Sequence, residues 1–157
     1  DDVVLRNETA AQEQALVGSA IYAWKGVCRA GAPMAECDNA WSIYAGDPAT
    51  PPAQNLGLIP SRVKFLARAY PMATAGTLTS FSYDPDRQTF TMTAAALRPA
   101  RGGQADQETV VFIPSTVHGA VTVTGSAVLD RVVSEPDGTR RAEVAPTGEG
   151  VYGVAIG

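Results

Sequence analysis

The order of apolar and polar positions divides this chain into a first part with helical spacing and a second part that alternates. Residues Asp2–Leu16 carry apolar and polar side chains at roughly the spacing of an amphipathic helix. The near-continuous apolar run Val17–Trp24 follows, which is typical of a parallel strand buried on both faces. Pro60, which suits the first turn of a helix, favours a second helix over Ser61–Ala69.

The segment Gly26–Gly57 has no clear periodicity and is rich in Gly, Ala and Pro. A connection of this length is usually functional. Trp41 and Tyr44 lie in it, and two interpretations stay equally open. Their rings either help to receive a sugar or a lipid, or pack the loop against its own helix.

Beyond Tyr70 the hydrophobic period becomes two, which predicts strands with one buried face. Phe81 and Tyr83 alternate with Ser, the next strand alternates in the same way, and Asp84–Arg87 forms the turn between them. Short strands with regularly spaced turns predict an antiparallel β-sandwich. The expected strands are Thr79–Tyr83, Thr89–Thr93, Glu108–Ile113, Ala120–Thr124, Val128–Val133, Arg141–Val144 and Val151–Ile156.

The predicted fold is therefore an α+β chain with a boundary near Tyr70 and Pro71. Residues 1–70 are interpreted as the last β/α unit of a TIM barrel, and residues 71–157 as the sandwich. Because they belong to alternating strands, five aromatic residues are expected in the sandwich core: Phe81, Tyr83, Phe90, Phe112 and Tyr152.

Composition argues against several classes of function. A net charge of −4 and a pI near 4.9 argue against a nucleic-acid partner, which needs a concentrated basic face. The sequence shows neither a membrane-spanning run nor a signal-peptide pattern. A metal site is poorly supported because the chain has one histidine, His118, expected at the surface in a turn, and two cysteines. We expect no cofactor.

The two cysteines, Cys28 and Cys37, lie close together in the long loop. A disulfide between them would stabilise the fold by about 2–3 kcal/mol in the chain-entropy model and would indicate an oxidising, extracytoplasmic setting. The alternative is two unrelated thiols.

Several segments together resemble one family, the endoglycoceramidase-like members of glycoside hydrolase family 5. Ala15–Cys28 is similar to the last barrel strand of those enzymes, and Leu66–Thr77 is similar to their passage from barrel to C-terminal domain. The remaining segments are similar to parts of their sandwich: Phe81–Phe90, Ile113–Gly119 and Val121–Val123.

The resemblance implies a secreted, retaining glycosidase that cleaves the bond between a glycan and the ceramide of a glycosphingolipid. Such a reaction uses two carboxyl groups about 5–5.5 Å apart. In the family these glutamates end the fourth and seventh barrel strands, so we expect this chain to begin after both and to carry no catalytic residue. Glu8 and Glu13 are expected at solvent-facing helix positions and are not substitutes for them.

Trp24 is the strongest candidate for a site residue, since active sites lie at the C-terminal ends of barrel strands. It matches the family's Trp-Lys at the end of the eighth strand, where an indole stacks on a sugar; the alternative is a ring that fills the barrel mouth. Lys25 is expected to reach a sugar hydroxyl or to be a solvated loop residue. Tyr22 lies on the same face but deeper, where a core role is favoured.

The implied partners are the glycolipid substrate and the N-terminal barrel, on the same polypeptide or as a separate chain, with a peripheral membrane contact through the sandwich. Two alternatives remain. The sandwich is a carbohydrate- or lipid-binding or structural module without catalysis, for which its inward-alternating aromatics give little support, or the chain is a truncated product without a function of its own.

Overall fold

The computed structural model describes residues 2–18, 44–46, 55–58, 60–97 and 107–157. Its contacts separate two compact units. The first comprises Asp1–Thr9 and Gly18–Leu66, and the second comprises Ala10–Val17 and Ala67–Gly157. The helix α1, Asp2–Ala15, contributes residues to both.

The first unit contains a short antiparallel sheet and a helix. Strand β1, Tyr44–Gly46, pairs with strand β2, Asn55–Leu58, and helix α2 spans Pro60–Leu66. Phe65 is buried, and the guanidinium of Arg6 lies 5.2 Å from the centre of its ring. A cation over the face of an aromatic ring is attracted by its negative charge density, so this contact helps to hold α1 in place within the unit.

The second unit is an antiparallel β-sandwich of two four-stranded sheets. The first sheet has the strand order β3-β6-β9-β8 and the second has the order β4-β5-β10-β7. The strands are β3 Tyr70–Ala73, β4 Thr77–Asp84, β5 Thr89–Ala96, β6 Thr109–Ile113, β7 Val121–Gly125, β8 Ala127–Ser134, β9 Arg140–Pro146 and β10 Gly150–Ile156.

Side-chain and backbone contacts hold the connections of the sandwich. In the β4–β5 turn the Asp84 carboxylate accepts the backbone N–H groups of Asp86 and Arg87 at 2.9 and 3.0 Å. An Asx turn of this kind satisfies amides that the tight reversal leaves without strand partners. Between β6 and β7 the Arg140 guanidinium donates to the carbonyl oxygens of Val117 and Gly119. The contacts of the Asp84 carboxylate confirm the predicted turn Asp84–Arg87.

The core lies between the two sheets and consists of the inward residues of each strand. Phe90, Met92 and Ala94 alternate with Thr on β5, and Tyr152, Val154 and Ile156 alternate with small residues on β10. Each of these side chains is at most 3% exposed. Removing large apolar side chains from water is worth roughly 1.5–3 kcal/mol each, which makes this layer the main stabilising contact of the unit.

The structure confirms the predicted antiparallel sandwich, with strand ends shifted by at most three residues. Three strands were not predicted. β3 is short and contains Pro71, and β1 and all but the last residue of β2 lie within the segment expected to be a loop. All of the predicted strand Val17–Trp24 after Gly18 lies outside the described residues. A barrel unit is therefore not seen in the part of the chain that the structure describes.

Two expectations about burial are wrong. Glu13 is 7% exposed, because the buried side of α1 follows Leu5, Thr9 and Glu13 at four-residue spacing, while the apolar residues Val3 and Val4 are exposed. Phe112 is only half-buried and lies outside the core, because Val111 and Ile113 on either side of it take the inward positions of β6. Phe81 is also half-buried, but it packs against the core.

Candidate functional site

The residues expected to contact substrate, Tyr22, Trp24 and Lys25, lie outside the described part of the chain. The loop residue Trp41 and the two cysteines, Cys28 and Cys37, also lie outside it. Their roles and the disulfide stay predictions. For Tyr44 the structure gives only the backbone, in β1. His118 is exposed in the connection before β7, as expected.

Within the described residues, no three His, Cys, Asp or Glu side chains come together in a way that could hold a metal ion. The described helices include none that is long and apolar enough to cross a membrane.

A largely buried charged contact joins the end of α1 to the sandwich within the second unit. One carboxylate oxygen of Glu13, Oε1, accepts hydrogen bonds from the Arg68 guanidinium and from the backbone N–H of Tyr83, the latter at 3.1 Å. The side chains of Glu13 and Arg68 are 8% and 14% exposed. We call Glu13, Arg68 and Tyr83 the Glu13 cluster.

Burial shifts the acid–base equilibria in the Glu13 cluster. Burial lowers the pKa of Arg68, and the nearby Tyr83 partly opposes this shift. Burial raises the pKa of the Tyr83 phenol, and Arg68 opposes it. A charged pair taken out of water is stable only when both partners are satisfied, so loss of either one leaves an uncompensated charge. The cluster thus makes the attachment of residues 10–17 to the sandwich specific.

A second buried polar network connects the two sheets near the start of β4. The Tyr152 hydroxyl donates to the carbonyl oxygen of Ala75 at 2.9 Å and accepts from Thr109 Oγ1, which lies 2.5 Å away. Thr109 Oγ1 in turn accepts the backbone N–H of Ala75 at 2.9 Å. Burial raises the pKa of Tyr152, and the hydrogen bond with Thr109 opposes this. Each polar group in the network is therefore paired.

The outer surface of the first sheet carries aromatic and charged residues in a row across its strands. The register places Tyr70 beside Phe112, Phe112 beside Arg141, and Arg141 beside Val133. We call these four residues the aromatic row. The ring centres of Tyr70 and Phe112 lie 5.2 Å apart with planes tilted by 37°.

Both arginines that project from this surface are paired with glutamates. Arg141 donates to Glu135 at 2.8 Å, and its side chain is 42% exposed. Arg131 donates to Glu143, its cross-strand neighbour, and this hydrogen bond raises the pKa of Arg131. The surface therefore combines apolar groups with two ion pairs, in which Arg141 and Glu135 are partly exposed and Glu143 is largely buried.

The outer surface of the second sheet is different in chemistry. Its strands project mainly small side chains, of which the clearest are Ser80, Ser82, Thr91, Thr93, Thr122 and Thr124. The described aromatic residues of that sheet, Phe81, Tyr83, Phe90 and Tyr152, project into or against the core. Among the described residues, rings are therefore exposed on the outer surface of the first sheet and not on that of the second.

Sequence patterns did not identify either the Glu13 cluster or the aromatic row. For Glu13 a usable signal was its position four and eight residues after Thr9 and Leu5, which places these residues on one side of a helix. For Phe112 there was none, because Thr109–Ile113 has apolar residues at both alternating sets of positions.

The sandwich coincides with a known domain family. The model of the glycoside hydrolase family 5 C-terminal domain matches residues 68–152, more than half of the chain. No curated protein matches the sequence.

Solved structures also resemble this chain. Cryptococcus neoformans sterylglucosidase 1 with tris matches with a TM-score of 0.43 and 24% identity, over 60% of this chain and 14% of that one. The same enzyme with a ligand named hit 1 gives a TM-score of 0.43 and 24% identity over 61% of this chain and 14% of that one. The chain thus spans 14% of the length of the enzyme that it matches.

Proposed function

The chain belongs to the glycoside hydrolase family 5 C-terminal domain family, and we propose that it forms the C-terminal part of a secreted, retaining glycosidase that hydrolyses the glycan–ceramide bond of glycosphingolipids. The observation that carries the family is the match of residues 68–152, which covers β3 to β9 and the start of β10. The narrower substrate class is supported by the sequence resemblance of Ala15–Cys28, Leu66–Thr77 and Phe81–Phe90 to endoglycoceramidase-like enzymes.

In this proposal the chain contributes binding and bracing, and the catalytic glutamates belong to a preceding barrel. We assign the reaction to none of the described glutamates: Glu8 and Glu149 are exposed, Glu13, Glu135 and Glu143 each bind an arginine, and Glu108 is buried ahead of β6. A nucleophile or an acid/base residue must instead reach the substrate and exchange protons with it. We assign Trp24 to stacking on the sugar next to the scissile bond, with Lys25 and Tyr22 beside it.

The bracing role is supported by the Glu13 cluster. Residues 10–17 belong to the same compact unit as the sandwich, and Glu13 contacts both Arg68, ahead of β3, and the backbone of β4. A helix held by a buried ion pair and a backbone hydrogen bond cannot shift along the sandwich without breaking both. The sandwich is thus suited to fixing the end of the element that precedes Val17–Trp24.

The proposal is tested by assaying a fluorogenic glucosylceramide. The purified chain is expected to give no turnover, and addition of a family 5 catalytic barrel from the same source is expected to restore it. In that mixture Trp24→Ala is expected to slow hydrolysis by about tenfold or more, the effect of losing about 1.4 kcal/mol of transition-state contact.

Turnover by the purified chain alone would contradict the assignment of catalysis to a preceding barrel. A mixture that hydrolyses simple glucosides but not the ceramide glycoside would keep the family and remove the substrate class. A Trp24→Ala mixture with unchanged kinetics would remove the role of Trp24.

A further inference from the structure

We infer that the aromatic row of Tyr70, Phe112, Arg141 and Val133 is a carbohydrate-binding surface on the sandwich, separate from the hydrolytic site. This inference gives a ligand to the non-catalytic alternative and does not depend on the proposed hydrolysis.

The rings of Tyr70 and Phe112 lie together on the outer surface of the first sheet. Tyr70 is 40% exposed, and its ring lies against that of Phe112, 5.2 Å between centres. Phe112 is held at that position by the alternation of β6, in which Thr109, Val111 and Ile113 project into the core. The apolar side of a sugar ring binds to such a ring pair by contact and by exclusion of water.

Polar groups lie next to the rings along the same row. Strands lie about 4.8 Å apart, so a row across four strands is roughly 14 Å long, enough for two or three sugar rings. Arg141 is the neighbour of Phe112 in the register, and it binds Glu135 at 2.8 Å. An arginine and a carboxylate that are already oriented by each other offer donors and acceptors to adjacent sugar hydroxyls at little entropic cost.

The ion pairs on this surface disfavour two other partners, an anionic lipid surface and a second copy of this chain. An anionic lipid surface attracts unpaired cations, but Arg131 and Arg141 are each bonded to a glutamate. A second copy of this chain would need a continuous apolar contact, and those ion pairs interrupt the apolar residues of the sheet. A neutral oligosaccharide matches a surface in which apolar and hydrogen-bonding groups alternate.

The experiment is a titration of the full chain with lactose and with cellotetraose, followed by the amide NMR shifts of Phe112, Val133 and Arg141. Saturable shifts confined to this surface are expected. Phe112→Thr keeps a strand-forming residue and removes the ring, and Tyr70→Thr does the same on the edge strand β3. Each is expected to weaken binding by about five- to tenfold, the size of one lost ring contact.

Val128→Thr is the matched control, because Val128 is exposed on β8 but lies outside the row. It should leave the affinity unchanged. The inference is overturned if neither sugar shifts these amides, or if both ring variants bind as the unchanged chain does. It is also overturned if the surface instead binds phosphatidylserine vesicles, or if it forms a dimer that Phe112→Thr abolishes.

Discussion

At the scale of single residues, the stability of the second unit depends on Glu13. Glu13→Gln keeps an acceptor for the Tyr83 amide but leaves the largely buried Arg68 without its countercharge. Breaking a buried pair from one side is costly, and we expect a loss of about 2–4 kcal/mol in the free energy of unfolding. Urea denaturation measures it.

Glu8→Gln is the control for this substitution, since Glu8 lies on the same helix and is exposed. It should change the free energy of unfolding by less than about 0.5 kcal/mol. If the two variants unfold at the same urea concentration, Glu13 has no special role.

The buried phenols predict sensitivity to alkali. Burial raises the pKa of both Tyr83 and Tyr152, so the folded protein keeps two protons that the unfolded chain releases above its ordinary tyrosine pKa of about 10. Their contribution to stability is therefore complete below about pH 10 and is lost as the pH rises further. The melting temperature should fall steeply above that pH.

The double variant Tyr83→Phe, Tyr152→Phe separates this effect from general alkaline damage. It is less stable at neutral pH because Ala75 and Thr109 lose a partner, but its melting temperature should depend less on pH above about 10. Equal pH slopes for the two proteins would show that other groups control alkaline unfolding.

At the scale of secondary structure elements, the crossing from β7 to β8 depends on one glycine. Gly125 has φ +77°, and a Cβ atom on it would overlap the carbonyl oxygen of Val151 on β10. Gly125→Ala is expected to lower the free energy of unfolding by about 1–3 kcal/mol, because it adds both strain and a collision with backbone. Thermal unfolding followed by circular dichroism measures the loss.

Gly148→Ala provides the comparison for Gly125. A Cβ atom at Gly148 meets nothing within 4 Å, so the added methyl group should be tolerated. The account of the β7–β8 crossing fails if Gly125→Ala is as stable as Gly148→Ala.

Sequence periodicity predicts the existence of most sandwich strands but not which side of each strand is inside. On β5 and β10 the two coincide, because apolar residues alternate with Thr, Gly or Ala. On β6 both alternating sets are apolar, so the inward position of Val111 and Ile113 is decided by the opposing sheet and not by the local pattern. The aromatic row could not be predicted for this reason.

The helices show the same limit. The predicted range Asp2–Leu16 agrees with the observed α1, Asp2–Ala15, and the predicted Ser61–Ala69 ends three residues later than the observed α2. The prediction of which side of α1 is buried was wrong, because Glu13 has a buried partner, Arg68, that lies 55 residues away in the sequence. A charged residue is assigned to the surface unless its partner is known.

At the scale of the whole molecule, the chain consists of two compact units, and the second corresponds to a family 5 C-terminal domain with the end of a helix attached. The family follows from a match over residues 68–152, whereas the substrate class still rests on the resemblance of shorter segments. The expected sugar-contacting residues lie outside the described residues, and the features that the structure adds are the Glu13 cluster and the aromatic row.

The sandwich is expected to hold residues 10–17 as part of its own cooperative unit. This is tested by hydrogen exchange of the backbone amides of Gln12–Ala15 in the unchanged chain, in Glu13→Gln and in Glu8→Gln. These amides should be nearly as protected as the sandwich strands in the unchanged chain and in Glu8→Gln, and should exchange much faster in Glu13→Gln. Equally fast exchange in all three proteins would show that the helix is not held by the sandwich and would contradict the account.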